Sequence, residues 1–443
     1  MPTIFVSIAS YRDPELIPTL KNMIENAAAP ENLHIAVCWQ QQEQKNVFES
    51  AGMSLKEKTS LDTFEKLIYG YLKARISIIK VNYFQSEGAC WARSLAEKCF
   101  ENERYFLQID SHCRFIRHWD NEMIEIHTAL QAKSVKPVLS YYPPGYEAGE
   151  HENRGKQVSR VSFREFNSAG IPLFSPSIFN SNGPVRNSYL AGGFIFAEGC
   201  FVKEVPNDPA IFFEGEEITM SARAFTHGYD IYIPDKILLW HFYSRNHCKK
   251  VWSDHNQEAK DRGEIDITWW ERDLKSRKRI RHIFGIEKDE SCDADAFMPG
   301  AARSLRDFEY SAGIDFLAQA VQPEVLTKER VSFFPYPPAN PAEWQKRLIA
   351  PHRRNITLKL SDISTVWEQL ASCCITIVDI NNALLEAVTL SKTELQEKTD
   401  RENNNRLTIP LSFNTPVIIK PAKIRITPFY HEQGWGETRE LSW

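Results

Sequence analysis

Little in this chain of 443 residues points to a membrane, a nucleic acid or an oxidising compartment. No apolar run is long enough to cross a bilayer. The N-terminus goes straight into a strand pattern and lacks the charged start and apolar stretch of a secretory leader. Nine cysteines follow no regular framework, and no Cys-x-x-Cys occurs. That excludes a zinc ribbon and fits reduced thiols in a cytoplasmic protein. A net charge of −5 gives no basic excess for nucleic acid. The basic cluster at 275–281 has the spacing of a solvated helix face. There is no internal repeat.

What is present is β-α alternation in the first half. Short apolar runs at 4–8, 33–39, 76–81, 105–109 and 137–140 suit buried strands. Asp13, Pro14 and Glu15 suit the start of a helix reaching about residue 26. Gly88 opens a second helix with Trp91, Ala92, Leu95, Ala96 and Cys99 on one face. A third spans 119–130. The pattern predicts a mostly parallel sheet with helices on both faces, whose ligands bind at the carboxyl ends of the strands. Residues 142–184, rich in proline and polar residues, read as long loops. Strands are expected at 191–196, 229–233 and 237–240. Helices are expected from Glu216 to about 227, over 269–284 and over 303–319. Beyond a proline-rich linker at 335–341, strand-like runs at 355–360, 374–378, 407–409, 417–419 and 424–426 predict a small β-rich domain, sandwich-like. Residues 392–405 read as a polar loop. The expected domains are 1–325, catalytic, and 326–443, accessory.

The chemistry centres on Phe106-Leu107-Gln108-Ile109-Asp110-Ser111-His112. An apolar strand ends in two metal-binding side chains spaced i and i+2. Another strand ends in Trp240-His241. Together Asp110, His112 and His241 would hold one divalent cation and leave open positions for diphosphate oxygens. Mixed carboxylate and imidazole ligands suit manganese better than calcium. Arg93, one turn into the Gly88 helix, can pair with a phosphate or with Asp110. Glu216 and Glu217 either suit a helix N-terminus or act on substrate. Asp13 is either a helix cap or a ligand contact. Trp91 reads more as core than as a sugar platform. His247 and His255 read as surface histidines on a mobile loop.

Several motifs in register, over roughly residues 1–320, resemble the GT-A glycosyltransferases that add GlcNAc to hydroxyproline on the Skp adaptor of ubiquitin ligases. They are Ile4 to Pro14, Gly88 to Ser94, Phe106 to His112, Ala191 to Gly193, Phe213 to Ile218, Trp240 to Tyr243 and Glu309 to Phe316. The chain is more distantly similar to mucin-type polypeptide GalNAc transferases. The resemblance implies a GT-A, Rossmann-like α/β fold, a UDP-sugar donor, Mn2+ and retention of configuration. It also implies that Ser10, Tyr11, Arg12 and Asp13 hold uridine. Gly192 and Gly193 would approach the donor sugar, and Asp110, Ser111, Arg93 and Trp91 would join the donor site. One of Glu216 and Glu217 would reach the sugar or the acceptor hydroxyl.

The function expected is metal-dependent transfer of a sugar, GlcNAc first, from UDP-GlcNAc to a hydroxyl on a protein or glycan. The C-terminal domain can bind acceptor, mediate oligomerisation or brace the fold. The competing readings are a sugar- or nucleotide-binding protein with a degenerate transferase domain, and a nucleotidyltransferase using the same metal edge. The second would want paired acidic motifs for two metals, and none is clear.

Overall fold

A computed structural model describes residues 3–42, 46–147, 149, 152–289, 295–328, 331–400 and 406–443. They divide into two compact units. The first holds residues up to 316 together with 327–337, and the second holds 317–326 and 338–443.

In the first unit, β1 (Ile4–Tyr11) and β2 (Leu33–Gln40) pair in parallel. A meander follows: β3 (Ser54–Leu61), β4 (Phe64–Tyr71) and β5 (Ala74–Val81), of which β5 pairs in parallel with β2. The chain then crosses back to lay β6 (Tyr105–Asp110) in parallel on the other side of β1. After β7 (Cys113–Phe115) come β8 (Pro137–Leu139), β9 (Ser159–Phe166), β10 (Pro172–Ile178), β11 (Val185–Arg186), β12 (Phe194–Glu198), β13 (Asp230–Ile233) and β14 (Leu239–His241). The sheet order is β11-β13-β8-β12-β6-β1-β2-β5-β4-β3. Strand β12 runs antiparallel to both its neighbours.

Period-2 patterning explains why this sheet is covered on both faces. Ile4, Val6, Ile8, Ile35, Val37, Leu107 and Ile109 enter one buried cluster, with Leu20 and Met23 of the Leu16–Glu25 helix and Trp119 of the Trp119–Leu130 helix. The alternate residues Phe5, Ala36, Cys38 and Phe106 enter another, with Ala92, Leu95 and Ala96 of the Ala89–Glu97 helix. The expected α/β class, with a mostly parallel centre and a β-rich C-terminal part, is what the structure has.

The second unit is built from two antiparallel sheets. Ile349–Lys359 and Arg406–Pro416 are central in one, and Leu370–Asp379 and Pro421–Tyr430 in the other. Ile356, Leu358, Ile375, Ile377, Leu407, Ile409, Ile424 and Ile426 share one core. Strict alternation along Arg406–Pro416 sends Leu407, Ile409, Leu411 and Phe413 into it.

Several expectations are corrected. Residues 142–184 are not all loop, because β9 and β10 form a hairpin there. The helix expected over 303–319 is only Leu305–Ala312, ended by Gly313 at φ 69°. Residues 417–419 lie outside the strands, after Arg406–Pro416 and before Pro421–Tyr430. Within the polar segment 392–405, Lys392–Glu397 is a helix whose Ser391 and Glu394 form a capping box; 401–405 lie outside the described residues. Strand β3 escaped the apolar pattern because it is polar and largely exposed, and β4 because only Leu67 and Tyr69 of it are buried. On the basic helix Trp269–Ile283, Lys275 and Lys278 are exposed, but Arg279 is buried and pairs with Asp208 at 2.8 Å.

One glycine fixes how the Arg93 helix meets the rest. Gly88 sits at φ 121°, and a Cβ there would lie 2.5 Å from the Phe212 carbonyl oxygen. The next residue, Ala89, donates its N–H to that same oxygen. Gly88→Ala is expected to cost about 1–3 kcal/mol, read by urea unfolding, because both the backbone angle and the contact oppose a side chain.

Candidate active site

The sheet reverses direction of growth at β1: β2 and β5 lie on one side and β6 on the other. Such a switch point opens a crevice beyond the carboxyl ends of the two strands. A cavity of about 560 Å³ lies there, lined by residues that include Tyr11, Arg93, Asp110, His112, Gly193, Glu216, His241 and Arg245. Asp110 is the last residue of β6, and His241 is the last of β14, which pairs with β7 directly after the Asp-Ser-His turn. Local pairing of β7 with β14 thus brings His241 back onto Asp110, 131 residues away in sequence.

Asp110, His112 and His241 offer ligand atoms that all lie within 4.8 Å of one another. His241 Nε2 is 3.0 Å from Asp110 Oδ2, and the two imidazole rings meet edge to face at 4.4 Å. Arg93 donates to Asp110 Oδ1 at 3.0 Å. Burial alone would raise the Asp110 carboxyl, but the His241 hydrogen bond and the Arg93 charge hold it well below the usual range. Some 28 % of its side chain stays open, so the carboxylate can still take a ligand.

His112 is held through Nδ1, 2.8 Å from Asp13 Oδ2. Its Nε2 faces Arg245 at 2.9 Å, and since a guanidinium can only donate, Nε2 accepts and the proton sits on Nδ1. Burial pushes the imidazole down to about 4, so it stays neutral. A neutral imidazole whose far nitrogen is anchored on a carboxylate is the usual form of a metal ligand. His241 Nδ1 is buried with no partner, so a proton can shift there and free Nε2. Donor set, spacing and tautomers therefore fit a divalent cation. The other such group among the described residues, His34, Glu101 and Glu103, lies at the amino ends of the strands. Its atoms are already engaged: His34 with Glu103 at 2.5 Å, and Glu101 with Arg75 through two hydrogen bonds.

The two glutamates opening the Glu216–Thr226 helix do different things. Glu216 takes the other arm of Arg93 at 2.6 Å and a contact from the Cys90 thiol. Glu217 accepts from the Gly192 N–H at 2.9 Å and from the Tyr142 hydroxyl at 2.6 Å. Burial pushes Glu217 up to about 7, with the Glu216 charge adding to it against those hydrogen bonds. The Gly192 carbonyl is held as well, by Gln108 Nε2 at 2.7 Å. A Cβ at Gly192 would sit 2.1 Å from Glu216 Oε1, and one at Gly193 would sit 2.8 Å from Asp110 Oδ2. Both glycines are required for the chain to pass this close.

The remaining candidates scatter. Asp13 Oδ2 caps no helix; it accepts from Ser111, His112 and Arg245, while Oδ1 accepts from the Glu15 N–H just ahead of the helix. Ser10 is fully buried and its hydroxyl has no partner. Tyr11 and Arg12 both bind Asp254, at 2.9 and 2.8 Å, and Arg12 stacks over Tyr83. Trp91 packs edge-on against Phe64, as a core residue does, away from the cavity lining. His247 is exposed, but His255 is not a surface residue: it is fully buried and its Nε2 meets the Tyr83 carbonyl at 2.9 Å. Arg245, Tyr142, Asp254 and Gln108 were not singled out from sequence. Only Arg245 had a signal, four residues beyond a metal-type histidine.

Residues 3–69 and 53–318 match the family described as Glycosyltransferase (GlcNAc). No curated protein matches. Among solved structures, GalNAc-T7 with UDP, GalNAc and Mn2+ is similar at 15 % identity and a TM-score of 0.42, over 64 % of this chain and 48 % of that one. The chain thus spans about half of GalNAc-T7. S. aureus TarS 1-349 in complex with UDP-GlcNAc is similar at 12 % identity and a TM-score of 0.33, over 64 % of this chain and 73 % of that one. No helix among the described residues is long and apolar enough to cross a membrane.

Because Glu217 binds its proton more tightly folded than unfolded, it stabilises the fold at low pH, and that contribution is lost as pH rises from 4.5 through about 7. Glu217→Gln is expected to flatten the fall in Tm across that window relative to the parent, measured by thermal unfolding at stepped pH.

Proposed function

The chain belongs to the GlcNAc glycosyltransferase family, with the match spanning residues 3–318, and from that premise we propose that it moves GlcNAc from UDP-GlcNAc to a hydroxyl acceptor on a protein or glycan. Configuration at the anomeric carbon is retained in this reading, and Mn2+ is the cofactor. The observation that carries it is the convergence of Asp110, His112 and His241 within 4.8 Å, beside a cavity at the sheet's switch point.

Asp110, His112 and His241 would hold the cation, which when bound supplies Lewis-acid neutralisation of a diphosphate leaving group. Arg93, already bridging Asp110 and Glu216, adds a fixed positive charge beside them. Gly192, held by Glu217 and Gln108, and its neighbour Gly193 bring backbone against the donor sugar. Both acids line the cavity; Glu217 uses both its oxygens, on Gly192 and Tyr142, whereas Arg93 and Cys90 take only Oε2 of Glu216, so Glu216 is the better placed to meet a sugar hydroxyl, through Oε1. The acceptor oxygen attacks the anomeric carbon as the bond to the phosphate oxygen breaks, and its proton passes to that phosphate. Residues 1–325 carry this chemistry, and 326–443 serve acceptor binding or assembly.

Asp110→Ala is expected to abolish both UDP-GlcNAc hydrolysis and transfer, followed by UDP release. Full parent activity in EDTA would sink the metal role. Arg93→Lys keeps a charge but loses the two-armed bridge, and kcat/KM is expected to fall by about 10²-fold or more.

A further inference from the structure

Arg245 is nine-tenths buried and sits where the candidate metal cluster would have to open. Its two terminal nitrogens are spent on the same pair of side chains. One donates to His112 Nε2 at 2.9 Å, and the other meets Asp13 Oδ2 at 3.0 Å. Asp13 is already bound to His112 Nδ1, so Nε2 is the only nitrogen His112 has left for a cation. A divalent ion held by that nitrogen and the guanidinium cannot occupy the same place. Two cations in so enclosed a space would also repel strongly.

The charges explain why an arginine is there at all. The Asp13 side chain is fully buried, and its Oδ2 meets both His112 Nδ1 and the Arg245 guanidinium. Without a cation nearby that carboxylate would be left poorly compensated. Yet Arg245 is itself incompletely satisfied, because its Nε is buried without a partner. Arg245 also rides on a stretch without helix or strand, between β14 and the four-residue helix Val251–Asp254.

We propose that Arg245 is a tethered stand-in for the metal: it neutralises the Asp13–His112 pair in the free protein and must withdraw before a divalent cation can bind. The inference rests on the metal reading of Asp110, His112 and His241. Its consequence is that Arg245 weakens binding of the cation alone, in the absence of any nucleotide.

The test is calorimetric titration of the full chain with MnCl2 and no nucleotide, for the parent, Arg245→Met, Arg245→Gln and Arg245→Lys. The expected result is Mn2+ binding at least tenfold tighter in Arg245→Met and Arg245→Gln, with Arg245→Lys close to the parent. Thermal unfolding gives a second readout. Arg245→Gln should have a lower Tm than the parent in EDTA and gain more from added Mn2+. Unchanged or weaker Mn2+ binding in the neutral variants, with the parent still binding, overturns the stand-in role and leaves the metal site intact. No Mn2+ binding in the parent or in any folded variant overturns both. Two neutral side chains of different polarity keep the comparison open if one of them does not fold.

Discussion

The site depends on one buried guanidinium. Arg93 reaches Asp110 at the end of β6 with one arm and Glu216 at the start of the Glu216–Thr226 helix with the other. Three elements are fixed by that fork: the helix carrying Arg93, the central strand and the acidic helix. Only 4 % of the Arg93 side chain is exposed, so neither carboxylate can be left without it cheaply. Removing one member of such a buried set typically costs about 3–5 kcal/mol. A lysine would not serve, since it lacks the planar fork that spans two acids at once.

Around that fork the carboxylates are sorted by environment. Asp110 is held low by His241 and Arg93 and stays open to the cavity. Glu217 is pushed up to about 7 by burial and is committed to the Gly192 peptide. The histidines are sorted in the same way. His112 is kept neutral with one nitrogen anchored, and His255, just past the Val251–Asp254 helix, is buried as a brace to Tyr83. Acids and imidazoles of one type thus take different work because their partners differ.

The fold was largely legible where burial is two-sided. Strands β1, β2, β5 and β6 read as apolar runs because both faces of the sheet are covered. The meander β3–β4 and the hairpin β9–β10 were not legible. Strand β3 is polar and exposed, β4 is only partly buried and β10 carries Pro172 and Pro176, and pairing with neighbours makes them strands. The buried His255 was misread because no local pattern announces a side chain that caps a distant carbonyl. The metal-type triad was legible since Asp110 and His241 end strands and His112 follows Asp110 by two residues, but Tyr142, Asp254 and Gln108 gave no such signal.

By itself the sequence determined the strand-helix alternation and the ends of β6 and β14 as places for Asp110, His112 and His241. These follow from hydrophobic period and residue chemistry, which are local. The tertiary structure alone decided that Glu216 faces Arg93 while Glu217 holds Gly192, that Asp13 anchors His112, and that Arg245 closes over Nε2. Those pairings join residues 25 to 133 positions apart, and only the packed sheet brings them within hydrogen-bond reach.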